Sequence, residues 1–195
     1  KVDALAEEVD RVEGYIEQAL FYARSESLDR DYVVRNVSLQ SIVSSALKRN
    51  ARAMISAHVV PVCRGLELEV FADEKWVEFI LGQLIQNSVK YACDEGAQLL
   101  FAATRANAGG TDDCVRLVVR DNGCGVPAAD LDRVFDRGFT GENGRNGKRS
   151  TGIGLYLVKR LCDKMGLGIV ARSEHGEFFE VEITFPTNHM HYFES

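Results

Sequence analysis

The sequence predicts an α+β fold preceded by a helix that belongs to a bundle. Three patterns carry this reading. Val2, Leu5, Val9, Val12, Ile16, Ala19 and Ala23 alternate spacings of three and four, an a/d seam over about three heptads. Trp76, Phe79, Ile80, Leu84, Ile85 and Val89 mark the buried face of a long helix from about residue 74 to 91. Apolar strand runs come in adjacent pairs, 98–103 with 115–120 and 167–171 with 178–185, each joined by a turn-forming connection.

Composition excludes several classes. The chain has 195 residues, 46% hydrophobic and 27% charged, which is enough for one domain with a core plus an accessory element. No apolar run approaches the roughly 18–20 residues of a membrane span, and the start does not resemble a signal peptide. A net charge of −6 without a basic stripe argues against nucleic acid as the partner. The five cysteines (Cys63, Cys93, Cys114, Cys124, Cys162) are odd in number, widely spaced and lack a C-x-x-C pair. That fits reduced thiols better than a disulfide framework or a zinc site.

The first helix, to about residue 27, has charged residues on its other faces, so its narrow seam calls for another helix and not a sheet. It starts without capping residues, so the expectation is that a first bundle helix precedes it. A polar hinge at 25–31 follows. Ser38 is the expected N-cap of a second helix carrying Ile42, Val43, Ala46 and Leu47 and ending near 53–57. Residues 66–72 alternate as a strand, and Asp73 is the expected N-cap of the long helix.

On that helix Asn87, Lys90 and Tyr91 share one stripe. An amide, an ammonium and an aromatic ring suit a metal, a phosphate and a flat ring, although a solvated face also explains Lys90 taken alone. Asn87 sits among apolar residues and needs a partner if buried. The strand pair is joined by a loop at 107–112. It ends in Asp121-Asn122-Gly123-Cys124-Gly125-Val126, a carboxylate followed by two glycines two apart. Such glycines let backbone approach a ligand closely, although alone the stretch also reads as a surface turn.

Pro127 and Ala128 open a short helix at 129–135. Residues 137–150 carry four glycines and read as a lid or disordered segment. Arg145, Lys148 and Arg149 lie in it. Thr151-Gly152-Ile153-Gly154-Leu155 then leads into a helix from 156 to near Gly166. Glycines before a helix start form a phosphate cradle of free N–H groups at the positive dipole end. The final hairpin turns at 174–176, and a frayed tail follows Pro186.

Four ordered motifs carry a resemblance. Gln83-Leu84-Ile85-Gln86-Asn87-Ser88-Val89-Lys90-Tyr91 resembles an N box, and Asp121-Asn122-Gly123-Cys124-Gly125 a first glycine box. Val134-Phe135-Asp136-Arg137-Gly138-Phe139 resembles an F box, and Ser150-Thr151-Gly152-Ile153-Gly154-Leu155 a second glycine box. Over about residues 36–186 the chain thus resembles the catalytic, ATP-binding domain of a sensor histidine kinase, of the superfamily that includes gyrase, mismatch-repair and heat-shock ATPases. Residues 1–27 resemble the second helix of that family's dimerisation and phosphoacceptor domain. Residues 17–26 and 139–144 look like the intramembrane-sensing, antibiotic-responsive kinases of Gram-positive bacteria.

The resemblance implies a Bergerat-type two-layer α/β sandwich, a mixed sheet covered by helices on one face. It divides the chain into a partial bundle (1–28), a hinge (29–36), an ATP-binding domain (37–186) and a tail (187–195). It implies ATP and Mg²⁺ as cofactors. Asp121 is expected to accept from the adenine amino group. Gly123 and Gly125 let the chain pass the base, with Val126 and Tyr91 as neighbouring surfaces. Asn87 is expected to hold Mg²⁺ and Lys90 to pair with phosphate, the two forming the catalytic set. Gly152 and Gly154 admit phosphates to the helix start within Ser150, Thr151, Ile153 and Leu155. Lys148 or Arg149 steadies charge on the transferring group. Phe135 and Phe139 anchor the lid, with Phe139 also at the nucleotide.

The implied activity is transfer of the ATP γ-phosphoryl group to a histidine, then to an aspartate of a response regulator. The implied setting is a cytoplasmic domain of a cell-membrane protein, dimeric through its bundle, reaching the membrane through other segments and partnered by an ABC-type transporter. His58, His175, His189 and His191 are none of them followed by an acidic residue, so the acceptor is expected upstream. Ser150 stands where many relatives carry glycine, which leaves that end of the lid less permissive. The superfamily's hydrolases carry Glu one turn before the N-box Asn to activate water; Gln83 stands there, a poor base, which favours a kinase. A serine-kinase anti-sigma factor is an alternative that residues 1–27 argue against. A non-catalytic nucleotide-binding module is another, disfavoured by the intact motifs.

Overall fold

The computed structural model describes residues 32–108, 112–141 and 151–186, together with Val12, Ile16 and Ala23. The chain divides into two units, Lys1–Tyr32 and Val33–Ser195. In the first, Val12, Ile16 and Ala23 are helical and exposed. The rest of the expected seam lies outside the described residues, as do residues 142–150 of the expected 137–150 lid and the tail from 187.

The second unit begins with β1 (Arg35–Ser38) and α1 (Leu39–Arg49). Ser38 caps α1 as expected, its Oγ accepting from the Ser41 N–H at 3.3 Å. The second helix is not continuous to 53–57. At Asn50 the backbone leaves helical geometry, and the Asn50 side chain donates to the Ala46 carbonyl at 2.8 Å. A short α2 (Ala51–Ser56) follows.

Two strands were not expected. β1 pairs antiparallel with β3 (Glu69–Ala72) as a separate two-stranded sheet. It has four residues with only Val37 fully buried, too short for alternation to register. β2 (Val60–Arg64) contains Pro61, which argues against a central strand, but β2 is an edge strand, where a missing N–H is tolerated.

The long helix α3 (Glu74–Lys90) is capped by Asp73, whose Oδ1 accepts from the Lys75 N–H at 3.0 Å. β4 (Gln98–Ala108), β5 (Asp112–Asp121), α4 (Ala128–Leu131), α5 (Gly154–Lys164), β6 (Gly168–Glu174) and β7 (Phe178–Pro186) complete the unit. The β4 and β5 strands outrun the expected 98–103 and 115–120 and take up part of the expected loop. α4 is shorter than the expected 129–135, and α5 starts two residues earlier than 156.

The five-stranded sheet has the order β2-β4-β5-β7-β6; β2 lies parallel to β4 and the other pairs are antiparallel. It is the mixed sheet that was expected. Its inner residues Leu99, Phe101, Leu117, Val119, Val181, Ile183 and Phe185 are buried. So are Leu39 and Ile42 of α1, Ile80, Leu81 and Ile85 of α3, and Leu157, Val158 and Leu161 of α5. Each such side chain contributes about 1.5–3 kcal/mol on burial. Val89 is half-buried, at the margin of the face expected for α3. Burial pushes the Cys162 thiol on α5 up to about 12, which leaves it a packing group.

The sheet's other face mixes apolar residues such as Leu100, Val118 and Val170 with charged ones. Register places Arg120, Glu180 and Arg172 in one row. Arg172 reaches Glu180 and Glu182, both at 3.1 Å, and Arg120 lies 3.7 Å from Glu180. Exposed pairs of this kind contribute little stability one by one; their effect is to break up the apolar residues of this face.

α2 ends in a Schellman motif. His58 donates to the Ile55 carbonyl and Val59 to the Met54 carbonyl, at 3.1 and 2.9 Å. His58 sits at φ 52, where glycine is the usual occupant, and its side chain is exposed. We expect His58→Gly to raise stability by about 0.5–1 kcal/mol, the relief of left-handed strain exceeding glycine's entropic cost. A denaturant midpoint that falls or stays put counts against this.

Candidate functional site

Asp121 ends β5 and is buried, 5% exposed. Three neutral groups donate to its carboxylate. The Ser88 hydroxyl reaches Oδ2 at 2.7 Å, the Gly123 N–H reaches Oδ1 at 3.0 Å, and the Phe179 N–H also donates. Burial raises the pKa of this carboxyl, and the three hydrogen bonds oppose the rise.

The Ser88 bond welds α3 to the end of β5. It brings the residue next to Asn87 onto Asp121, so the N box and the first glycine box form one wall. The Tyr91 carbonyl accepts from the Cys124 N–H at 3.2 Å, a second tie between the two motifs. Asn87, Lys90 and Tyr91 are half-buried at this end of α3, and the Lys90 ammonium lies 5.4 Å from the Tyr91 ring centroid. Gln83, one turn earlier, is buried at 6% exposure.

The glycines are needed for backbone packing. A Cβ on Gly123 would overlap the Tyr91 carbonyl oxygen. Gly125 sits at φ 59, and a Cβ there would overlap the Glu174 carbonyl oxygen. The turn thus lies flat against the β6–β7 hairpin. The Val126 N–H donates to Ser173 Oγ at 2.7 Å, and Ser173 Oγ–H donates to the Phe178 carbonyl at 2.7 Å.

Gly152 has a similar role at the other glycine box. It sits at φ 64, with a Cβ position occupied by the backbone of Gly138 and by the Phe139 carbonyl oxygen, 2.6 Å away. The Gly138 N–H donates to the Gly152 carbonyl at 3.0 Å. The F box and second glycine box are therefore clasped backbone to backbone. Phe135 and Phe139 are half-buried beside this clasp, with the Arg133 guanidinium 4.9 Å from the Phe139 ring.

α5 starts directly after the clasp. Ile153 is its N-cap and offers no side-chain cap, so first-turn N–H groups are left for another acceptor. Gly154 and Leu155 form that first turn, and Thr151 Oγ1 accepts from the Ile153 N–H at 3.4 Å. Lys148, Arg149 and Ser150 lie outside the described residues.

Two contributors were not recognised from the sequence. Asn122, quoted only as part of a motif, accepts from the Gln98 N–H at 2.7 Å and donates to the Gly96 carbonyl at 2.9 Å, fixing the start of β4 under the turn. Ser88 is the other. A buried hydroxyl on an apolar helix face requires a partner, the same signal that singled out Asn87.

Two outcomes follow. Gly152→Ala should destabilise the unit by about 2 kcal/mol or more through a positive φ and a backbone overlap; unchanged denaturant unfolding would contradict the clasp. For Asp121, a folded-state pKa above the unfolded value means a contribution present at low pH and lost as pH rises through the folded pKa. Asp121→Asn should therefore melt a few degrees higher than the parent at pH 7, with the gain shrinking as pH falls. A gain that grows toward acid would reverse the assigned sign.

Residues 72–189 match the family described as histidine kinase-, DNA gyrase B-, and HSP90-like ATPase. The sensor histidine kinase YxdK of Bacillus subtilis is 35% identical over 188 residues, 95% of this chain and 56% of that protein. Sensor histidine kinase GraS of Staphylococcus haemolyticus is 32% identical over 178 residues, 90% of this chain and 49% of that one. The chain thus spans about half the length of the curated relatives it matches. In fold it is similar to the Acinetobacter baumannii histidine kinase AdeS, with TM-score 0.71 at 18% identity over 95% of this chain and 83% of that one. Full-length ShkA in complex with AMPPNP gives 0.74 at 24% identity, over 94% of this chain and 37% of that one. The chain belongs to the histidine kinase-, DNA gyrase B-, and HSP90-like ATPase family.

Proposed function

We propose that this chain binds Mg·ATP between α3, the Asp121 turn and the start of α5, and donates the γ-phosphoryl group to a histidine on an upstream bundle helix. The observation that carries the reading is the Ser88–Asp121 hydrogen bond, which joins the N box to a buried carboxylate at the end of β5. An ionised carboxylate only accepts hydrogen bonds, which suits the amino group of adenine. Gly123, Gly125, Val126 and Tyr91 border that position.

The donor set fits the rest of the ligand. The Asn87 amide oxygen is a hard ligand of the kind Mg²⁺ takes, and Lys90 on the same stripe pairs with phosphate. The uncapped N–H groups of α5 receive the β- and γ-phosphates. Thr151, Gly152, Ile153, Gly154 and Leu155 shape that end; Phe139 holds its base, and Lys148 or Arg149 with Ser150 completes it. Phosphoryl transfer depends on such positioning and charge stabilisation. Gln83, buried where a hydrolase would carry its base, supports transfer to protein over transfer to water.

The domain layout follows the same proposal: a bundle segment at 1–28, a hinge at 29–36, the ATP-binding domain at 37–186 and a tail at 187–195. The whole protein would dimerise through its bundle, sit at the cell membrane through other segments, pass its phosphoryl group to a response regulator and work with an ABC-type transporter.

Calorimetric titration with ADP, with and without Mg²⁺, tests the site. One-site binding strengthened by Mg²⁺ is expected. Asn87→Ala should lower affinity in Mg²⁺ at least about tenfold while sparing Mg-free binding. Equal losses in both conditions would remove Asn87 as the metal ligand. Labelled ATP should leave this chain unlabelled, and acid-labile label on it would place the acceptor here instead.

A further inference from the structure

Ser88 is 4% exposed and follows Asn87 directly on α3. Packing at this position would be served by alanine, which has no hydroxyl to desolvate. The hydroxyl instead donates to Asp121 Oδ2 at 2.7 Å. With the Gly123 N–H on Oδ1 at 3.0 Å, each carboxylate oxygen is held from the protein side. That fixes the carboxylate's plane. The lone pairs left over are the ones available to a ligand.

We propose that Ser88 is a positioning residue that sets the pocket's choice of base, by holding Asp121 as an ionised acceptor for an exocyclic amino group. The inference rests on the reading of Asp121 as the base-binding group. An ionised carboxylate meets the six-position amino group of adenine as acceptor to donor. A six-oxo purine offers an acceptor there and is repelled. A protonated carboxyl presents an O–H donor and loses this discrimination. The charge state of Asp121 is thus the selector.

Burial pushes that state toward protonation, and among the described residues Ser88 is the only side chain of the opposing donors; Gly123 and Phe179 act through backbone N–H groups. Charged or titratable side chains on the packed segments include Glu78 and Lys90 on α3, Tyr91 and Cys93 just beyond it, Cys124 in the turn, Arg120 beside it on β5, Arg172 and Glu174 on β6, and Glu180 and Glu182 on β7. None of these contributes to the shift. Substituting Ser88 therefore changes the selector without removing it.

The test titrates the parent chain and Ser88→Ala with ADP and with purine riboside 5′-diphosphate, which lacks only the amino group, from pH 5 to 8. The parent should prefer ADP at pH 7. Ser88→Ala should weaken ADP about tenfold and leave purine riboside diphosphate unchanged. Its acid-side loss of ADP affinity should begin at a higher pH than in the parent. Equal weakening of both ligands would make Ser88 a packing residue and overturn the proposal. So would a variant that keeps the parent's preference and pH profile. A parent chain that does not distinguish the two ligands would instead remove Asp121 from base recognition, the reading beneath this one.

Discussion

A carboxylate buried among neutral donors is expensive, and Asp121 shows how the fold meets that expense. The donors that reach it are neutral and come from three directions: a helix hydroxyl, the next turn of its own chain and the neighbouring strand. None of them has a use unless α3, β5 and β7 are already packed together. The carboxylate thus marks the point where helix layer and sheet meet, and its geometry is only as good as that packing. Its pKa, raised by burial against the pull of those three donors, expresses the same tension.

Around it the chain approaches itself closely. Gly123 lies against Tyr91, Gly125 against Glu174, and Gly152 against Gly138 and Phe139, all backbone to backbone. Glycine boxes in a nucleotide-binding domain are naturally read as room for the ligand. Here the room at these three positions is filled by protein. What the close approaches do is hold the turns against neighbouring backbone, which fixes where Asp121 and the start of α5 sit.

Much of this was legible in the sequence, and the rest was hidden for definite reasons. The α3 face, both hairpins, and the Ser38 and Asp73 caps could be read because each is a local pattern of one period or one cap. β1 escaped because four residues with one fully buried side chain carry no period, and β2 because Pro61 hid a strand that only its edge position permits. The break at Asn50 is a side chain turning back on its own helix, which helix propensity alone does not signal. At the site, Asp121, Asn87 and the glycines stood out by spacing and type. Ser88 did not, since its significance lies in a partner 33 positions away along the chain.

The clasp between Gly138 and Gly152 separates two design problems that a nucleotide-binding domain would otherwise have to solve together. Both ends of the intervening stretch are pinned by one backbone hydrogen bond and a contact no side chain can enter. With its ends fixed, that stretch can change length at a closure cost that grows only as the logarithm of the residue count, about 0.6 kcal/mol per doubling. The two glycines therefore set a fixed junction, and the cost of any change between them is the cost of closing a loop at that junction.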